Sequence, residues 1–178
     1  MRRKAAEEIA RELLAAWNHR DLEAFLALLS DDVEWYDPAM PDPPARGKTE
    51  VKAFAEAVLA AFPDFEYEIQ PPICASEDGR RCAIVWRISG THLRPLRPLG
   101  YAPTGRRASF EGVDVIDIRA GKVSRILTAF DLLPAAEQLL GLRLRPKPGS
   151  LKAGIVAPAQ RLIAHFRRSR RHNQEIKK

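Results

Sequence analysis

The chain is poor in the residues that mark the commonest site chemistries. It holds two cysteines, Cys74 and Cys82, on either side of the turn signal Glu77-Asp78-Gly79-Arg80. They read as neighbours across a hairpin and, with no secretory signal beside them, as reduced thiols. Its four histidines (His19, His92, His165, His172) lie far apart, with no carboxylate or thiolate at ligand spacing, so the sequence makes no case for a metal site. A glycine-rich phosphate loop is also missing, and no cofactor is expected. The start, Met1-Arg2-Arg3-Lys4-Ala5-Ala6-Glu7-Glu8, lacks the apolar run of a signal peptide. No stretch approaches the roughly 20 apolar residues of a membrane span. A cytoplasmic protein is expected.

Acidic residues are nearly missing from one end. From residue 142 to 178 there are eleven Lys and Arg against the single acid Glu175, a charge of +10. The whole chain is +6, so residues 1–141 carry −4, and the basic character belongs to the tail alone. Pro146-Lys147-Pro148-Gly149-Ser150 reads as a hinge, and Leu151 to Phe166 as an amphipathic helix broken at Pro158, ending in Arg167-Arg168-Ser169-Arg170-Arg171. The expected organisation is a folded domain over 1–142 and a basic, Pro-hinged helical tail over 143–178. The tail reads as a solvated end, or as contacting its own domain or dimer mate, an anionic membrane surface, or nucleic acid.

Hydrophobic periodicity supplies the elements. Ile9, Leu13, Leu14, Ala16 and Trp17 fall at helical spacing; Leu22, Phe25, Leu26, Leu28 and Leu29 make a second, short helix that stops at Ser30-Asp31-Asp32. Val33 to Asp37 alternates as a strand and meets a Pro-rich loop, and Lys48 to Ala61 returns to helix. From Phe65 the period is two, with Phe65, Tyr67 and Ile69 facing one way and Glu66 and Glu68 the other. Strands are expected at about 65–76, 80–91, 106–119 and 122–131. Helices followed by a meander give an α+β fold, a curved antiparallel sheet wrapped by N-terminal helices, with a small-molecule cavity between the layers.

Two carboxylates fall inside this apolar frame. Asp131 closes the last strand-like run and Asp114 lies within the one before it. Ionised Asp avoids apolar strand interiors unless it is paired, hydrogen-bonded or held with a shifted pKa for chemistry. Each also has a plainer reading: Asp131 as the N-cap of a helix over Leu133-Pro134-Ala135-Ala136-Glu137, and Asp114 as a strand residue facing water.

The ordered set Trp17-x3-Asp21, Asp32-Val33-x-Trp35-x-Asp37-Pro38, Gly47, Phe62-Pro63-Asp64, Gly90-Thr91-His92, Pro103-Thr104-Gly105-Arg106, Gly121-Lys122-Val123 and Phe130-Asp131 resembles the SnoaL-like polyketide cyclases, of the nuclear-transport-factor-two-like, or steroid-isomerase-like, cone fold. The match covers about residues 5 to 142. The resemblance implies a curved sheet with an apolar pocket, homodimerisation, and cofactor-free acid/base chemistry on a hydrophobic, carbonyl-bearing small molecule. It implies that Asp131 is the acid/base, assisted by Asp114 or His92. Asp37, before Pro38, resembles the proton-abstracting Asp of the steroid isomerases and Asp114 their oxyanion-hole Asp, whereas their Tyr has no counterpart at Leu13 or Leu14. Limonene epoxide hydrolases share the fold; Asp131 and Arg87 would fill two of their three roles, but Ser89 stands where the third needs an acid. Trp35, Tyr36, Trp86, Phe110 and Trp17 are the candidate pocket walls. The leading expectation is therefore cyclisation or isomerisation by proton abstraction from carbon, with an epoxide hydrolase or hydratase, and a non-catalytic binding module, as the alternatives.

Overall fold

The computed structural model describes residues 2–40, 42–97 and 100–141. The expected basic tail at 143–178, its contacts and the domain boundary at 142 lie outside the described residues. Helix α1 (Arg2–Asn18) turns Ala6, Ala10, Leu13, Leu14 and Trp17 inward, the i, i+4, i+7 stripe of an amphipathic helix, against the strand that ends the sheet. Asp21 starts α2 (Leu22–Ala27) by accepting a hydrogen bond from the Ala24 amide at 2.9 Å. Helix α3 (Gly47–Ala61) buries Val51 and Ala55. Among the described residues, no helix is long and apolar enough to cross a membrane.

The strands are β1 (Leu29–Tyr36), β2 (Ala45–Arg46), β3 (Glu66–Ala75), β4 (Arg81–Thr91), β5 (Arg107–Arg119) and β6 (Lys122–Phe130). They form one curved, unclosed sheet in the order β2-β1-β6-β5-β4-β3. The last four strands fall within a residue or so of the expected ranges. Three features differ from the sequence reading. Strand β1 begins at Leu29, because that side chain is drawn into the core beside Val123 of β6. It pairs with β6 in parallel, so the sheet is mixed rather than wholly antiparallel. The chain leaves β6 at Phe130, and helix α4 (Leu132–Leu140) begins directly after Asp131.

Register decides which residues share the inner face. Along β4, Cys82, Ile84, Trp86, Ile88 and Gly90 all turn to the concave side. Their partners on β5 are Ile116, Asp114, Gly112, Phe110 and Ala108, and on β6 Ile126, Thr128 and Phe130 continue the rows. The same alternation keeps the two cysteines apart. Cys82 pairs with Ala75, so neighbouring Cys74 points to the opposite face; Cys82 is buried, Cys74 is exposed and both are free.

Candidate functional site

Between the helices and the concave face lies a cavity of about 300 Å³. Its walls are aromatic and come from five elements: Trp17 of α1, Trp35 of β1, Phe54 of α3, Tyr67 of β3 and Trp86 of β4. Edge-to-face contacts fix them, with Trp17 and Trp35 centroids 5.6 Å apart and Trp35 and Phe54 5.1 Å apart. Phe110 and Phe130 continue the wall along β5 and β6 at 4.9 Å.

One carboxylate, Asp37, interrupts this apolar surface, and a second, Asp114, lies buried behind it, next to the lining hydroxyl of Thr128. Asp37 lines the cavity just past β1, its Oδ1 accepting the Ala39 amide at 2.7 Å in an Asx turn, and burial pushes its pKa up to about 6 against that hydrogen bond. Asp114 is 4% exposed. Burial pushes its pKa up to about 7; the Thr128 hydroxyl and the Trp86 indole pull it down, and the charge of Asp37 raises it further. Neither carboxylate has an ion pair among the described residues.

The proton on Asp114 is placed by its neighbours. The Trp35 indole N–H is a donor only and gives its hydrogen to Thr128 Oγ1 at 2.9 Å. Thr128 then donates its own proton to Asp114 Oδ1 at 2.8 Å. With Oδ1 held as an acceptor, a neutral Asp114 carries its proton on Oδ2 and has a hydrogen bond to give. Tyr67 completes the group: burial, then the charges of Asp114 and Asp37, hold its phenol far above its usual pKa, so it remains a neutral donor beside two carboxyl groups.

The expected residues divide accordingly. Trp17, Trp35, Trp86, Phe110, Asp37 and His92 line the cavity. Asp131, expected to be the acid/base, does not; it is exposed at the N-terminus of α4, where its Oδ1 accepts the Leu133 amide at 3.1 Å. Asp131 is thus the N-cap of α4, its plainer reading. Arg87 is also displaced, because odd positions of β4 face outward: it is exposed and pairs with Glu111 at 2.7 Å and Glu68 at 3.4 Å. The Asp131/Arg87 pair of the epoxide-hydrolase alternative is therefore not assembled. Tyr36 is no pocket wall; its ring lies 5.0 Å from the Arg125 guanidinium and its hydroxyl donates to Glu34 at 3.2 Å. Tyr67 and Thr128 were missed, although a phenol in the Phe65-Tyr67-Ile69 row and a hydroxyl in the Ile126-Thr128-Phe130 row are polar intrusions into apolar alternation. Among the described residues, no group of three or more His, Cys, Asp or Glu is close enough to hold a metal ion.

Known proteins bear on this arrangement. The chain is similar to the crystal structure of a proposed polyketide cyclase from Pseudomonas putida KT2440, at 26% identity and a TM-score of 0.66 over 75% of this chain and 97% of that one. It is also similar to AclR, a proposed hydroxylase from Streptomyces galilaeus, at 27% identity and a TM-score of 0.65 over 79% of this chain and 98% of that one. A proposed polyketide cyclase from Xanthomonas campestris, at 19% identity, shares the fold with a TM-score of 0.67 over 78% of this chain and 98% of that one. No curated protein matches the chain. The family model for the SnoaL-like domain matches residues 10–126, which is most of the aromatic cavity and the sheet behind it, and the chain belongs to that family.

Proposed function

We propose that the protein is a cofactor-independent acid/base enzyme that abstracts a proton from carbon beside the carbonyl of a hydrophobic small molecule, giving cyclisation or isomerisation. The observation that carries this reading is a pair of carboxyl groups, Asp37 half-buried at the cavity and Asp114 buried behind it, which have no cationic partner among the described residues and whose pKa values burial pushes up to about 6 and about 7, close to neutral pH. Asp37, the lower of the two and open to the cavity, is the base. Its ionised form takes the proton from carbon, and the apolar wall strengthens its basicity by withholding water. As the carbon–hydrogen electrons move into the carbonyl, the oxygen gains negative charge. The Tyr67 hydroxyl, which lines the cavity, is the donor for that oxygen; neutral Asp114, behind the Thr128 hydroxyl, keeps a competing negative charge away from it, and neither has to ionise to act.

The test is deuterium exchange from D2O into the methyl group of an apolar aryl ketone, 4-acetylbiphenyl, followed by NMR. Exchange is expected to be catalysed by the wild type and to fall about 10²- to 10⁴-fold in Asp37→Asn with binding retained. Because Asp37 must be ionised and Asp114 protonated, the rate should rise with pH through about 6 and fall again above about 7, the two limbs belonging to the coupled pair. Tight binding with no exchange above background would instead favour a non-catalytic binding module.

A further inference from the structure

The cavity has a second polar end that proton transfer does not use. His92 directly follows β4, is 1% exposed and lines the cavity. Its ring stacks on Phe62 with centroids 5.4 Å apart and planes 30° apart. Among the described residues, neither ring nitrogen has a hydrogen-bond partner of normal geometry. Phe62, Gly90, Leu96 and Ala108, which share the wall, bring no side-chain donor or acceptor; Ser89 and Tyr101, also in the wall, carry hydroxyls, but neither is bonded to the ring. A buried polar group left in this condition is costly, and in native proteins it marks a place where something else supplies the partner.

Burial holds the imidazole below its usual pKa, with the Arg94 backbone offsetting this only in part, so the ring is neutral at pH 7. A neutral imidazole has one N–H and one bare lone pair whichever tautomer is present. The lone pair needs a donor. Arg97, in the same wall, is exposed. The two polar ends are also far apart. Ala108 pairs with Gly90, two residues before His92, and lies six residues from Asp114 along β5.

We infer that His92 is a substrate-binding residue that accepts a hydrogen bond from a hydroxyl at the end of the substrate remote from its carbonyl. The substrate class is then an elongated apolar ketone with a terminal hydroxyl, which spans the cavity from Asp37 to His92. This rests on the proton-transfer reading for its choice of which end holds the carbonyl, and on the unpartnered imidazole for the rest.

Calorimetry on the full chain with three probes tests it: 4-acetylbiphenyl, 4-acetyl-4′-hydroxybiphenyl and 4′-acetylbiphenyl-4-carboxylate. Burying a hydroxyl without a partner weakens binding, so the sign of the hydroxyl preference reports the contact. The hydroxylated probe is expected to bind wild type about tenfold more tightly than 4-acetylbiphenyl, and the carboxylate most weakly. His92→Phe should erase the preference while leaving 4-acetylbiphenyl binding intact, and His92→Gln, whose amide oxygen is again an acceptor, should restore part of it. Wild type provides a second readout if a variant does not fold: a His92 ring nitrogen should change its ¹⁵N shift with the hydroxylated probe and not with the unsubstituted one. A wild-type ratio of one or less, a preference that survives His92→Phe, an unmoved ¹⁵N shift or tightest binding of the carboxylate overturns the proposal. Methyl exchange without hydroxyl preference removes this inference and leaves the proton-transfer reading; hydroxyl preference without exchange does the reverse.

Discussion

Two aspartates that look alike in the sequence have opposite fates, and the difference is one of side-chain direction. Asp37 precedes Pro38 and Asp131 precedes Leu132, each just beyond a strand. Asp37 continues the inward alternation of Val33 and Trp35, so its carboxyl enters the cavity. Asp131 comes one residue after inward-facing Phe130, which turns it to solvent and leaves it free to cap α4. Replacing Asp131 with Ala should therefore cost about 1 kcal/mol, a fall in Tm of about 3 °C, and leave ketone deuterium exchange unchanged. Loss of exchange from a folded Asp131→Ala protein would return this residue to the chemistry. Of the candidate site, Asp37, Asp114 and the four aromatic walls were legible because they sit in strongly alternating or motif-bearing segments. Tyr67 was not, since its phenol meets Asp37 and Asp114 only when β3, β1 and β5 are brought together.

The elements hold the site through register, and Gly112 shows how tightly. It faces Trp86 across the β4/β5 pair, and the indole lies directly over its Cα. A Cβ there would fall well inside van der Waals contact with Trp86 Cη2 and Cζ2, and 2.8 Å from the Ala129 carbonyl oxygen. Gly112→Ala should displace the indole that stands beside Asp114, lowering stability by about 2–3 kcal/mol and Tm by about 5–10 °C. Thermal unfolding together with near-ultraviolet circular dichroism of the tryptophans checks both effects. An unchanged Tm would mean that the indole moves aside without resistance. The sequence indicated a strand at this position, and an isolated strand glycine suggests close approach by something, but not by what. Likewise β2 and the parallel β1/β6 pair lack any local signal, because parallel or antiparallel pairing depends on the path of the intervening chain.

At the scale of the whole molecule, the site is built at the expense of stability at neutral pH. An unfolded chain releases the Asp37 and Asp114 protons near pH 3.9, whereas the folded protein holds them to about 6 and about 7. Between those limits the native state binds more protons, so this contribution is fully present below about pH 4 and is lost as pH rises through the folded values. Surface carboxylates act with the opposite sign: Asp32, Asp64 and Asp78, held low chiefly by hydrogen bonds to Arg119, Thr91 and Ser76, give stability that disappears as pH falls through their lowered values. Asp114→Asn should accordingly unfold later than wild type in denaturant at pH 8, by at most about 4 kcal/mol, and show no such advantage at pH 4. An equal difference at both pH values would show that the effect is packing and not ionisation. By itself the sequence determined the α+β class, the four long strands, the inward rows of aromatic residues and a membership visible in its ordered motifs, because these depend on periodicity and local turn chemistry. Only the tertiary structure decided which carboxyl groups are stripped of water, which arginine faces outward and which ring nitrogens lack a partner. Burial and hydrogen bonding belong to the assembled layers, and a one-residue difference in register sends a side chain to the opposite face.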